Sequence, residues 1–393
     1  MKTSRELVLC ALSHEETERP PVDFGGHRSS GISAVAYAKL KKAMGISTGH
    51  VYVYDMVQQL AIVEEPVLDA LGSDVIEMGR GFLKEDRYWK DWTLPDGTPC
   101  KVPAYVNLER RGQDWYLLAD DGSALGVQKQ GCLYFEQIYF PLETRSIQDD
   151  DFADLETQLG RTVWATACPG SHLPGDAAGL AELKHGAHAL RQSTDRAIIG
   201  LFGGSLFEAP QMLYRMDNYL THMGLYSEDV ERLSAALCDI YLAKLEAWLG
   251  AVGNSIDIVL FGDDLGGQNG PLISVDMYRR FYKPFHQRLW QRAKALADVK
   301  VMLHCCGSIE PFLADLIEAG VDTVNPVQIN CRGMDSKHLK ARYGDRLTFW
   351  GGGCDANQVL TSGTPQAVKQ HVREQVATLS PGGGFVFQQV HNI

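Results

Sequence analysis

The chain has 393 residues, 45% hydrophobic and 22% charged, the composition of a soluble globular protein with a large core. Its net charge of −12 argues against nucleic acid or an anionic membrane surface as the main partner, because either would be repelled. No apolar run approaches a membrane span and no export signal precedes the acidic "SHEETER". With nine irregularly spaced cysteines, this fits reduced thiols in the cytoplasm.

In chain order, "PPVDFGG" (20–26) is a short buried-strand pattern, "VYVYDMVQQLA" (51–61) is helix-like, and "DVIEMG" (74–79) is a second strand. The stretch 87–140 differs: Asp-Gly turns separate alternating or aromatic runs, which predicts antiparallel hairpins inserted on the rim of a larger unit. From residue 197 onward, apolar β-branched runs alternate with helical patterns. "AIIGLFGG" (197–204), "IDIVLFGDDLG" (256–266), "DVKVMLHCCG" (298–307), "VDTVNPVQ" (321–328), "RLTFWGGGCD" (346–355) and "GGFVFQQVHNI" (383–393) are the strands. Such parallel units predict a single α/β domain over 1–393, an eight-stranded (β/α)8 TIM barrel carrying the β insertion near 87–140. A doubly wound sheet is the runner-up, without a Gly-rich phosphate turn after the first strand. The last strand pattern has no helix to cover it, so a final barrel helix is expected beyond residue 393.

The chemistry concentrates in "VMLHCCGSI". Adjacent cysteines bridge badly, so packing thiols or metal ligands remain as readings. On a strand His304 and Cys306 share one face and Cys305 takes the other, which places the first two at the catalytic end of a barrel. Cys354, after three glycines at another strand end, supplies a third soft donor. One imidazole and two thiolates suit zinc with a fourth position open. Two thiolates also cancel the charge of the ion, which favours holding a substrate atom over activating water.

Several polar residues are candidates around that centre. Asp263 and Asp264 end a strand and could orient substrate or shift a proton, or one of them could cap the next helix. His391 ends the last strand as a pocket residue. His27 and Arg28 follow the first strand and suit an acidic or phenolic substrate. Glu208, Gln268 and Tyr54, the last with Asp55 and Gln58 on the helix-like stretch, complete the substrate-side set.

"LHCCGSI" followed by "GGGCDAN" resembles the His-x-Cys…Cys pattern of corrinoid-linked methyltransferases in the uroporphyrinogen decarboxylase superfamily, such as methoxyarene O-demethylases and coenzyme M methyltransferases. "ERPPVDFGG", "FGDDLGGQNGPLIS", "RRFYKPF", "VDTVNPVQ" and "FVFQQVHNI" resemble the same superfamily, so the likeness runs along nearly the whole chain. It implies a β/α barrel with zinc at its mouth and a separate corrinoid protein carrying cobalamin, with a homodimer left open. By similarity to cobalamin-independent methionine synthase, Gln328 stands where a glutamate ligand is expected, as a weak ligand or a substrate contact. The expected activity is transfer of a methyl group between a small molecule and the corrinoid protein. A methoxylated aromatic donor is favoured, because the aromatic insertion suits a shaped pocket. Transfer from the corrinoid protein to a thiol is the alternative. Uroporphyrinogen decarboxylation is a second alternative, but "GGHRSSG" keeps only Arg28 of the Arg-Gln-Ala-Gly-Arg type motif that it resembles. A structural zinc site is a third, disfavoured because Cys306 and Cys354 sit on separate strands.

Overall fold

The computed structural model describes residues 2–81, 85–167 and 175–393. Seven strands form one parallel sheet: β1 (Val75–Glu77), β2 (Ala197–Gly203), β3 (Ile258–Gly262), β4 (Lys300–His304), β5 (Thr323–Asn325), β6 (Thr348–Trp350) and β7 (Phe385–Val386). They lie side by side in chain order, which is what successive β/α units produce. The stretch 21–23 lies between the two edge strands. Val22 bridges in parallel to Phe387 beside β7, and its carbonyl accepts the Asp74 N–H beside β1 at 2.6 Å.

Alternation along each strand sorts the side chains. Val259, Phe261, Val301, Leu303 and Val324 point outward into the main core under the helices. Val75, Ile199, Ile258, Leu260, Met302 and Trp350 point inward and form a second, separate apolar cluster. Met302 is inward, so His304 two residues later is inward too, at the carboxyl end of β4.

Helix α1 (Ser4–Leu12) closes the amino end of this interior. Thr3 and Glu6 start it with a reciprocal capping box, and Val8, Ala11 and Leu12 fall on one face three to four residues apart. Those three side chains complete the inner cluster, packing against Val75, Met302 and Val386. The interior is therefore filled at the bottom and polar at the top, and only the top can hold a site.

The sequence 87–140 forms antiparallel structure as its Asp-Gly turns predict. Trp89–Thr93 pairs with Pro99–Pro103 around Gly97 at φ +87°, and Asn107–Arg111, Asp114–Leu118, Ala124–Gln128 and Glu136–Gln137 make a four-stranded sheet. The helix expected over 51–61 is not there. Val53–Asp55 and Leu60–Ala61 are antiparallel strands of a three-stranded sheet, because the β-branched and aromatic "VYVY" run packs as an extended segment. Among the described residues no helix is long and apolar enough to cross a membrane.

Leu12 is 3% exposed in the inner cluster. Leu12→Ala should cost about 2–5 kcal/mol, as buried leucine truncations do. Denaturant unfolding should show this as a lower midpoint.

Candidate metal centre

His304, the last residue of β4, has its Nε2 3.3 Å from the Sγ of Cys306 two residues beyond. His391, beyond β7, completes a group whose ligand atoms all lie within 4.8 Å of one another. The His304 and His391 rings meet edge to face, 5.7 Å between centroids. Cys305 is fully buried on the other face, where its sulfur accepts the Leu265 N–H at 3.3 Å.

The orientation of His304 is set from behind. Asn325 Nδ2 donates to Gln388 Oε1 at 2.7 Å and to the Trp350 carbonyl at 3.1 Å, which turns its own oxygen toward His304. That oxygen, 3.1 Å from His304 Nδ1, can only accept, so the proton sits on Nδ1 and the Nε2 lone pair faces Cys306. The Cys306 loop is held as firmly. Its N–H donates to Asp264 Oδ1 at 2.7 Å, and the Gly307 N–H donates to Gln328 Oε1 at 2.6 Å. Burial and the Asp264 carboxylate push the Cys306 thiol well up. Metal-free it is a thiol; a bound cation would favour thiolate and release a proton.

A cavity of about 690 Å³ opens over these groups at the carboxyl ends of β2, β3 and β4. Trp164, Phe202, Tyr241 and Phe261 supply its aromatic wall, while His27, Arg28, Glu208 and Asp264 are among its polar members. Burial and the neighbouring Asp264 and Asp263 carboxylates raise Glu208 well above the usual carboxylate range, which favours its protonated form. Arg28 sits 5.8 Å from the Trp164 ring, its Nε 3.5 Å from Asp55 Oδ2. Asp55 in turn accepts from the Gln58 amide at 3.2 Å.

Five expected site residues lie elsewhere. Asp263 is fully buried and accepts the backbone N–H groups of Leu206, Phe207 and Glu208 at 2.8–2.9 Å and faces His286 Nε2 at 3.0 Å. It caps the helix Glu208–Tyr214, leaving Asp264 as the strand-end carboxylate in the cavity. Gln268 Nε2 donates to the Asn330 carbonyl at 2.7 Å and ties two loops together. Gln328 positions Gly307, as given above, and does not line the cavity. Tyr54 packs with Leu60 and Trp89 in a small cluster of its own. Cys354 is buried and stays outside the donor group. Its backbone pairs with Gln389, and its thiol meets only the Asp355 carbonyl, at 3.9 Å. Among the described residues none of 87–140 lines the cavity, so its aromatic character comes from the parallel sheet and the helices beside it rather than from the insertion.

Asn325 and the buried Asp23 were not singled out from sequence. Asn325 shares the inward parity of Thr323, a signal that strand alternation carries. Nothing local marks Asp23, whose partners Trp350, Ser30 and Gly26 converge only in the fold.

Residues 174–393 match the uroporphyrinogen decarboxylase (URO-D) family. The chain belongs to the URO-D family. A methyltransferase from Methanosarcina mazei matches with a TM-score of 0.57 at 15% identity, covering 100% of this chain and 94% of that one. At that identity the likeness speaks for the URO-D-type α/β fold. A Xanthomonas albilineans dihydropteroate synthase (TM-score 0.27, 13% identity, 49% of this chain and 60% of that one) matches only loosely. A D-psicose 3-epimerase (TM-score 0.32, 11% identity, 56% and 72%) is equally distant. Comparison with curated proteins finds no match.

Burial and the adjacent His304 push the His391 imidazole down to about 4. Unfolded, it titrates near 6.5. Between about pH 6.5 and 4 the unfolded chain therefore holds a proton that the folded chain lacks, and stability falls with pH through that window. In metal-free protein this component should reach at most about 3 kcal/mol and vanish in His391→Gln. Unfolding free energies at pH 7 and pH 4 will measure it.

Proposed function

We propose that the protein is a zinc-dependent methyltransferase that moves a methyl group between a small molecule, favourably a methoxylated aromatic compound, and a corrinoid protein. One observation carries this reading: His304 and Cys306, 3.3 Å apart at a strand end, face an aromatic-walled cavity of about 690 Å³. The full-length likeness to a methyltransferase supports it. The hydrogen bonds of 21–23 to both sheet edges support a closed eight-stranded barrel with this cavity at its mouth.

The donors fit zinc: an imidazole with its Nε2 lone pair already aimed, a thiol beside it, and a further imidazole within reach. Zinc held there supplies Lewis acidity toward the oxygen that the methyl group leaves. The chain's own residues do the remaining work. Trp164, Phe202, Tyr241 and Phe261 offer ring faces against which an aromatic substrate stacks. Glu208, held protonated, donates a hydrogen bond to the departing oxygen. Arg28 and His27 bind acidic or phenolic substituents on the cavity wall. The methyl acceptor in this reading is cobalamin on the partner protein. Porphyrinogen decarboxylation fits poorly. Among the described cavity residues the only lysine and arginine are Lys244 and Arg28, and they face Glu156 at 3.0 Å and Asp55 at 3.5 Å.

Purified protein should contain about one zinc per chain. Metal analysis should find it lost in His304→Ala and Cys306→Ala and kept in Cys305→Ala. With a reduced corrinoid protein, methoxyarenes should yield phenols, and Glu208→Ala should slow this about 100-fold. Methyl transfer to thiols alone, or metal-independent CO₂ release from uroporphyrinogen, would overturn the assignment.

A further inference from the structure

We propose that the third protein ligand of the metal is His391 and not Cys354, so that the centre has two imidazoles and one thiolate and takes oxygen donors as substrates. The proposal rests on the metal-dependent reading above. Three facts favour His391. Its ring nitrogen, His304 Nε2 and Cys306 Sγ lie within 4.8 Å of one another. Tetrahedral zinc, with bonds of about 2.0–2.1 Å to nitrogen and about 2.3 Å to sulfur, needs neighbouring donors roughly 3.3–3.8 Å apart. Small side-chain rotations close that gap, and all three side chains already face the cavity.

Cys354 meets none of these conditions. It does not line the cavity, and it is 4% exposed. Its carbonyl accepts the Val390 N–H at 2.8 Å, and the preceding Gly353 N–H donates to the Gln388 carbonyl at 2.8 Å. The turn is also jammed: a Cβ on Gly353 would sit 2.5 Å from the Phe387 ring. This pairing holds the Cys354 backbone with its thiol outside the donor group, whereas His391 already belongs to that group. Asp264 stands close, with Oδ1 3.7 Å from His304 Nε2, but that oxygen already accepts the Cys306 N–H.

The choice of ligand sets the charge. Zn²⁺ with two thiolates is neutral, whereas Zn²⁺ with one thiolate and two neutral imidazoles keeps one positive charge. The cationic centre polarises a hard oxygen more strongly and has less need of a soft sulfur substrate. Ether and phenolate oxygens are therefore its ligands of choice.

X-ray absorption of the zinc-loaded wild type should report one sulfur neighbour. His391→Cys should keep the metal and raise the count to two. His391→Ala should weaken zinc binding about tenfold or more, while Cys354→Ala should leave it unchanged, with circular dichroism verifying that each variant is folded. Two sulfurs in the wild type, with zinc lost in Cys354→Ala, would overturn the ligand assignment and leave the methyltransferase reading standing. A wild type that binds no zinc would overturn both.

Discussion

The buried amide of Asn325 is the constraint on which the carboxyl end of the sheet depends. Its two N–H bonds go to β6 and to Gln388 past β7, and its oxygen takes Ser29 at 2.5 Å and His304 at 3.1 Å. One side chain therefore ties three adjacent strand ends to the loop after residue 23. Because the nitrogen is satisfied on one side, the oxygen has a single orientation, and the tautomer of His304 follows from it. Fully buried and fully bonded, such a hub is worth more than its separate bonds, since losing one partner strands the others without water.

A second hub, Asp23, meets the first through the 27–30 loop. Trp350 Nε1 donates to Asp23 Oδ2 at 2.8 Å, Ser30 and Gly26 donate to Oδ1 at 2.8–2.9 Å, and His27 Nε2 lies 3.1 Å away. Burial alone would raise this carboxyl, yet His27 and the donors hold it below its ordinary value. Ser29 has given its proton to Asn325 and so accepts from His27 Nδ1, 3.1 Å away. Trp350 bonds to both hubs, and the His27–Ser29 contact links them a second time. That is why a loop can form a well-defined wall of the cavity.

Much of this was legible in the sequence, and the part that was not has a common cause. The parallel strands were readable because buried β-branched runs alternate with helices, and the parity of "LHCC" separated Cys306 from Cys305. Local pattern could not tell which of Asp263 and Asp264 would turn inward, because both follow the strand and the outcome depends on where residues 206–208 present their N–H groups. Cys354 has the strand-end position of a donor, but its backbone is held by pairing with Gln389, far along the chain. Tyr54 lies on a strand instead because the four-residue apolar run 51–54 carries either period, and only the pairing of Val53–Asp55 with Leu60–Ala61, itself paired with Ile32–Ser33, selects the strand. What failed in each case is a contact made far along the chain.

Rigidity is unevenly distributed around the centre, and that distribution bears on chemistry. The Cys306 side is fixed by backbone: its N–H is held by Asp264, the next N–H by Gln328, and Gly307 at φ +86° lies so close to Gly266 that a Cβ would fall 2.3 Å from it. No residue but glycine fits there. The aromatic wall instead presents the side chains of Trp164, Phe202 and Tyr241. The donor pair 3.3 Å apart is thus held by backbone geometry, while the aromatic face of the cavity is built from side chains. Substitutions in that wall would therefore reshape the cavity while leaving the His304–Cys306 pair in place.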